Sequence, residues 1–141
     1  MRVMVIVRAN QDTESGVLPS REILEEMGKY NEELVKAGVM LAGEGLHPSS
    51  KGKRVKFGGG RFAVTDGPFT ETKELIAGFW LWQVKSIEEA VEWLRRAPFR
   101  NGEELEIRRV YEAEDFGENL PPEVGAQEAG QRARLAAAAK S

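Results

Sequence analysis

Cysteine is missing from the chain, and histidine occurs once, at His47. The first absence excludes a disulfide framework and any thiolate metal site, and it fits a reducing compartment. The second restricts imidazole proton transfer near neutral pH to one position. Long apolar runs are also lacking: Met1-Arg2-Val3-Met4-Val5-Ile6-Val7-Arg8 is too short for a signal peptide or a membrane span, and no small-residue cleavage site follows it. A cytoplasmic protein with no membrane partner is expected. Nor is there an excess of positive charge. With 20 Lys and Arg against 23 Asp and Glu, net −3, the chain offers phosphates no general attraction, so direct nucleic-acid binding is not expected.

What is present suits one α+β domain: 141 residues, 41% of them hydrophobic and 30% charged. Val3, Val5 and Val7 alternate with Met4 and Ile6, so the first strand is apolar on both faces and central in its sheet. Pro19-Ser20 opens a helix with Ile23, Met27, Tyr30 and Leu34 on one side, and Gly38 closes it. A second strand begins at Val39 and ends where Gly43-Glu44-Gly45-Leu46-His47-Pro48 interrupts pairing.

Arg54 to Phe57 and Arg61 to Thr65 flank Gly58-Gly59-Gly60 as a hairpin. No Gly-Lys-Ser/Thr follows those glycines, as a phosphate loop would require. Ile76 to Val84 forms a long strand with Ile76, Gly78, Trp80, Trp82 and Val84 on one face and Ala77, Phe79, Leu81 and Gln83 on the other. Ser86-Ile87-Glu88-Glu89 has capping-box spacing for a second helix with Ile87, Ala90, Val91 and Leu94 inward, and Glu104 to Tyr111 is the last strand.

That order is the ferredoxin-like split βαβ arrangement, an antiparallel sheet with an inserted β-hairpin and both helices on one face. The uncovered face is apolar in at least two strands, so a homodimer joining two sheets is expected. The domain is read as 1–116. Residues 117–141 form a Pro- and Ala-rich extension in which Gly125 and Gly130 interrupt helix-favouring residues, so a helix stable on its own is not expected, and the segment is read as either disordered or docked on the dimer.

Asp66-Gly67-Pro68-Phe69 with Glu71, Lys73 and Glu74, together with Ala37-Gly38-Val39 and Gly43-Glu44-Gly45-Leu46, resembles the YCII-related proteins of the DGPF type. The resemblance covers about residues 1–116 and implies a dimeric α/β barrel, in a family often encoded beside extracytoplasmic-function sigma factors. Some relatives are proposed to use a histidine–aspartate pair in a cleft, with the histidine on the first helix. That helix offers Glu25, Glu26, Lys29 and Tyr30 here, so the pair is not carried over.

Catalysis, if it is encoded, falls to His47 as the proton-transfer group, with Asp66 or Glu44 orienting it. Each has a plainer reading: a loop histidine, an Asx-turn aspartate, a strand-end glutamate. A metal site would need Glu44 and Asp66 to converge on His47, and none is expected. Trp80 and Trp82 are either an apolar ligand wall or packing residues, and Phe69 pins the turn. Lys73 lines a cleft mouth or is solvated, and Arg8 meets an anionic group or a surface acid. The expectation is a small-molecule-binding homodimer with its cleft between sheet and hairpin, and any catalysis there is expected to be cofactor-independent. The alternative is a regulatory protein that contacts a sigma-factor-linked partner through Glu112 to Glu118 and the tail.

Overall fold

In a computed structural model of the chain, residues 1–139 are described, apart from the side chain of Lys73. Strand β1 (Arg2–Arg8) has Val3 and Val5 fully buried, while Met4 and Ile6 are half-buried on the other face. After it comes a four-residue helix, α1 (Gln11–Glu14), that hydrophobic periodicity does not reveal. Its signal is local: the Asn10 side chain accepts from the Thr13 amide, and the Thr13 hydroxyl accepts from the Asn10 amide. Helix α2 (Arg21–Lys36) is capped by Ser20, whose hydroxyl accepts from the Ile23 amide, and it ends before Gly38 at φ +72°.

Strand β2 (Met40–Gly45) leads through a 3-10 turn (Ser49–Lys51) into β3 (Lys53–Gly58) and β4 (Arg61–Asp66). Gly59 and Gly60 both have positive φ, as a two-residue hairpin turn requires, and pairing runs outward from Gly58↔Arg61 to Lys53↔Asp66. Strand β5 (Ile76–Gln83), helix α3 (Ile87–Arg95) and β6 (Leu105–Arg109) complete the element order of the first unit. The main sheet is ordered β2-β5-β1-β6 and every pairing in it is antiparallel, while β3 and β4 form a separate two-stranded sheet. This is the ferredoxin-like α+β fold, without a closed barrel within one chain.

Two details depart from simple alternation. Between Val7 and Arg8 the pairing with β5 slips, so Val7 faces Gly78 and Arg8 faces Ile76. Ile76 is therefore shifted off the Gly78–Trp80–Trp82 face and is largely exposed. The last strand is shorter than the expected Glu104 to Tyr111, because Tyr111 starts the second compact unit, Tyr111–Ser141, where its ring meets Phe116. That unit contains α4 (Pro122–Ala139), a continuous helix in place of the interrupted segment expected. Pro122 occupies the first helical position, where its missing N–H costs nothing. Gly125 and Gly130 are outweighed by the alanines around them. No residue of α4 is buried.

The first unit, Met1–Val110, has its core between the sheet and the two long helices. Val3, Val5, Trp80 and Trp82 meet Tyr30 and Leu34 of α2 and Ala90 of α3. Tyr30 also latches the helices together, donating its hydroxyl to the Trp93 carbonyl at 2.6 Å. Burial pushes the Tyr30 phenol up to about 12, an effect opposed by the Arg96 charge and helped by Glu33. A raised phenol pKa means that the unfolded chain deprotonates first. The stabilisation is whole below pH 10 and is lost as pH rises through about 12. Tyr30→Phe should therefore flatten the alkaline limb of a stability–pH curve and cost about 1–2 kcal/mol at pH 7, where the Trp93 carbonyl loses its donor. Urea melts at several pH values check both effects.

Candidate functional site

The strongest local anomaly lies where β2 and β5 run side by side. Cross-strand partners share a face, and Gly43 faces Trp80 while Gly45 faces Gly78, which in turn faces Val7 of β1. Two of the three side chains in the Gly45–Gly78–Val7 row are therefore missing on the face that carries α2. A cavity of about 230 Å³ occupies that space, bounded by Val7 and Trp80 from the sheet, Met27 and Asn31 from α2, and Phe99.

The glycines differ in what they tolerate. A Cβ at Gly43 would lie 2.6 Å from Cδ1 of Trp80, and one at Gly78 would lie 2.8 Å from the Glu44 carbonyl oxygen. A Cβ at Gly45 would meet nothing within 4 Å beyond its chain neighbours, so that position looks into open space. Trp80 is wedged between two aromatic edges: Tyr30 at 6.0 Å and 71°, and Phe99 at 6.0 Å and 90°.

Trp80 also sets the polarity of the hollow. Its indole N–H can only donate, and it donates to Asn31 Oδ1 at 3.0 Å. The Asn31 carbonyl end is thereby fixed, and its NH₂ end is left with two donors for another acceptor. Glu44 borders the same hollow, but its partner is Phe79, so its side chain belongs to the opposite face of the sheet.

The other candidates from the sequence lie elsewhere. His47 is exposed in the loop after β2 and borders a second cleft of about 330 Å³ with Phe69, Arg54 and Lys51. This cleft lies between the main sheet and the base of the hairpin. Asp66 pairs with Lys53 Nζ, its partner at the hairpin base. Among the described residues, no hydrogen bond or ion pair joins His47 to Asp66 or Glu44, and no group of acids and histidine is arranged to hold a metal ion. Trp82 is fully buried in the core, and its indole N–H has no partner. Arg8 pairs with Glu106 at 3.0 Å. The side chain of Lys73 lies outside the described residues.

The Asp66-Gly67-Pro68-Phe69 turn is a clamp. The Gly67 amide donates to the Gly52 carbonyl and the Phe69 amide to the Ser49 hydroxyl, both at 3.0 Å. Ser49 in turn donates its amide and its hydroxyl to the two carboxylate oxygens of Glu14. The Gly67–Pro68 peptide is cis. Sequence reading missed Glu14, Ser49 and Asn31. The Asn10–Thr13 capping box, which opens the short helix ending at Glu14, was the available signal for the first, and nothing local marked the other two.

A family model described as the YCII-related domain matches residues 1–114. The chain belongs to the YCII-related family. An uncharacterized protein, R00369, of Rhizobium meliloti (strain 1021) is similar at 30% identity over 73 residues, which is 52% of this chain and 59% of that protein. The match thus spans less than two thirds of that relative's length. Among solved structures, 5-chloro-2-hydroxyhydroquinone dehydrochlorinase (TftG) from Burkholderia phenoliruptrix AC1100, in complex with 2,5-dihydroxybenzoquinone, is similar over 82% of this chain and 98% of that one. Its sequence identity is 13% and the TM-score 0.40. Among the described residues of this YCII-related chain, no helix is long and apolar enough to cross a membrane.

Proposed function

We propose that this YCII-related chain of the DGPF type is the subunit of a cytoplasmic homodimer that binds a small, mostly apolar ligand in the glycine-lined hollow under α2. One observation carries the reading: Gly45 and Gly78 empty a row of the sheet beside an Asn31 amide whose free end is two hydrogen-bond donors. At about 230 Å³ the space exceeds the roughly 150 Å³ that holds benzene, so it suits one substituted ring. The ligand carries an acceptor, such as a carbonyl oxygen, for the Asn31 NH₂. Phe99, Met27 and Trp80 supply the apolar walls.

Dimerisation is supported by the other face of the sheet. Met4, Ile6, Phe79 and Leu81 stand together on neighbouring strands and lie outside the core cluster. Two such faces meeting would make the dimeric α/β barrel. Proton transfer is not part of this proposal, because His47, Asp66 and Glu44 occupy different surroundings.

Acetophenone, a neutral ring with one carbonyl, is a suitable probe. Gly45→Leu should fill the hollow without a backbone clash and weaken acetophenone binding at least about tenfold, with the melting temperature little changed. Equal binding by the variant, measured by calorimetry, would refute the assignment.

A further inference from the structure

We propose that the cleft at the root of the β3–β4 hairpin is a second binding site, for a small organic anion in which a carboxylate is joined to a ring. Its position and chemistry differ from those of the hollow under α2. The cleft lies between the Ser49–Lys51 turn, the start of β5 and the hairpin, and measures about 330 Å³. That is within the range of small-ligand pockets, roughly 300–1,000 Å³.

Two cations, Lys51 and Arg54, and one acid, Glu14, line it. Between positions 51 and 65 the chain carries Lys51, Lys53, Arg54, Lys56 and Arg61 and no acid, although its overall net charge is −3. Asp66, the first acid after that stretch, is held by Lys53. Glu14 also borders the cleft, where its carboxylate oxygens accept from the Ser49 amide and hydroxyl, so that its charge is turned onto the Ser49–Lys51 turn.

Arg54 is the element built for recognition. Its guanidinium lies 3.8 Å above the centre of the Phe69 ring. Stacking holds the guanidinium plane and leaves its N–H groups pointing outward in that plane, the geometry that meets a carboxylate through two parallel hydrogen bonds. Among the described residues no carboxylate forms an ion pair with Arg54 or Lys51. The Phe69 backbone is itself fixed by the hydrogen bond that its amide donates to the Ser49 hydroxyl, so the arginine rests on a ring carried by an anchored turn. Leu46 and Ile76, both well exposed, supply the apolar surface that a ligand ring would cover. The functional role of the Asp-Gly-Pro-Phe turn is then to present Phe69 as the platform for an anion-binding arginine.

The test is an NMR titration of the full chain at low salt with benzoate, its neutral counterpart benzamide, and inorganic phosphate, following the His47 ring and the Phe69 amide. Benzoate should bind at least about tenfold more tightly than either comparison compound, since only benzoate supplies both the charge and the ring. Arg54→Gln, an exposed substitution that leaves the hairpin pairing intact, should weaken benzoate at least about tenfold, and Gly45→Leu should leave it unchanged. Equal affinity for benzamide would overturn the proposal, as would tight phosphate binding alone or undiminished binding by Arg54→Gln. Benzoate shifts confined to Asn31 and Trp80 would also overturn it, while leaving the hollow under α2 as a site. Failure of acetophenone to bind that hollow would leave this cleft untouched.

Discussion

Trp82→Ala is expected to lower the unfolding free energy by about 3–5 kcal/mol, enough to unfold a marginal domain at physiological temperature. Trp82 is fully buried, stands between Val3 of β1 and Met40 of β2 in the pairing register, and touches Trp80 at 5.7 Å between ring centres. Its removal opens a cavity where sheet and helices meet. The ring nevertheless carries a flaw, because its indole N–H is buried without a partner. An unpaired buried donor costs roughly 1–3 kcal/mol, so Trp82→Phe gives up packing but recovers part of that penalty. The phenylalanine variant should therefore lose less than half of what the alanine variant loses in urea denaturation. Equal losses would mean that the N–H is satisfied in solution. Trp80 is the contrasting case, since its N–H is bonded to Asn31 and Trp80→Phe forfeits that bond.

The second large effect is expected at Gly67. A Cβ there would sit 1.8 Å from the Ser49 carbonyl oxygen and 2.6 Å from its carbon, both backbone atoms that cannot swing aside. Gly67→Ala must push the Asp-Gly-Pro-Phe turn away from the Ser49–Lys51 turn. That displacement strains the bonds from Gly67 to Gly52 and from Phe69 to Ser49. A cost on the order of 1–3 kcal/mol follows for overpacking of this kind. Hydrogen exchange should localise it: the amides of Gly67 and Phe69 exchange faster, while Val5 and Trp82 in the central strands change only through the global term. Unaltered protection at Gly67 and Phe69 would show that the two turns are not clamped.

The sheet and its helices were legible because their signals are local and periodic. Val3 and Val5 alternate with Met4 and Ile6, and Ser20 and Ser86 accept from amides three residues on, as their spacing requires. The Asp66–Lys53 pair was within reach too, since counting outward from Gly59 and Gly60 brings those two positions opposite each other. The hollow was not legible. It depends on Gly45 and Gly78 falling in one row across two strands, and that register is set by contacts far apart in the chain and by slips at Met40/Ala42 and Val7/Arg8. For the same reason the nearness of Glu44 and His47 in sequence gave no warning that they border different cavities. The extent of α4 across Gly125 and Gly130 was not legible either, because a glycine penalty of about 1 kcal/mol each has to be set against the summed preference of the surrounding alanines.

The free end of the Asn31 amide is where the hollow under α2 is proposed to receive its small ligand. The direct measurement is the ¹H–¹⁵N spectrum of the Asn31 side-chain NH₂ during titration with acetophenone. The account predicts saturable shifts of both NH₂ protons together with the Trp80 indole signal, and their loss in Gly45→Leu. An Asn31 signal that stays fixed while other residues respond would contradict it.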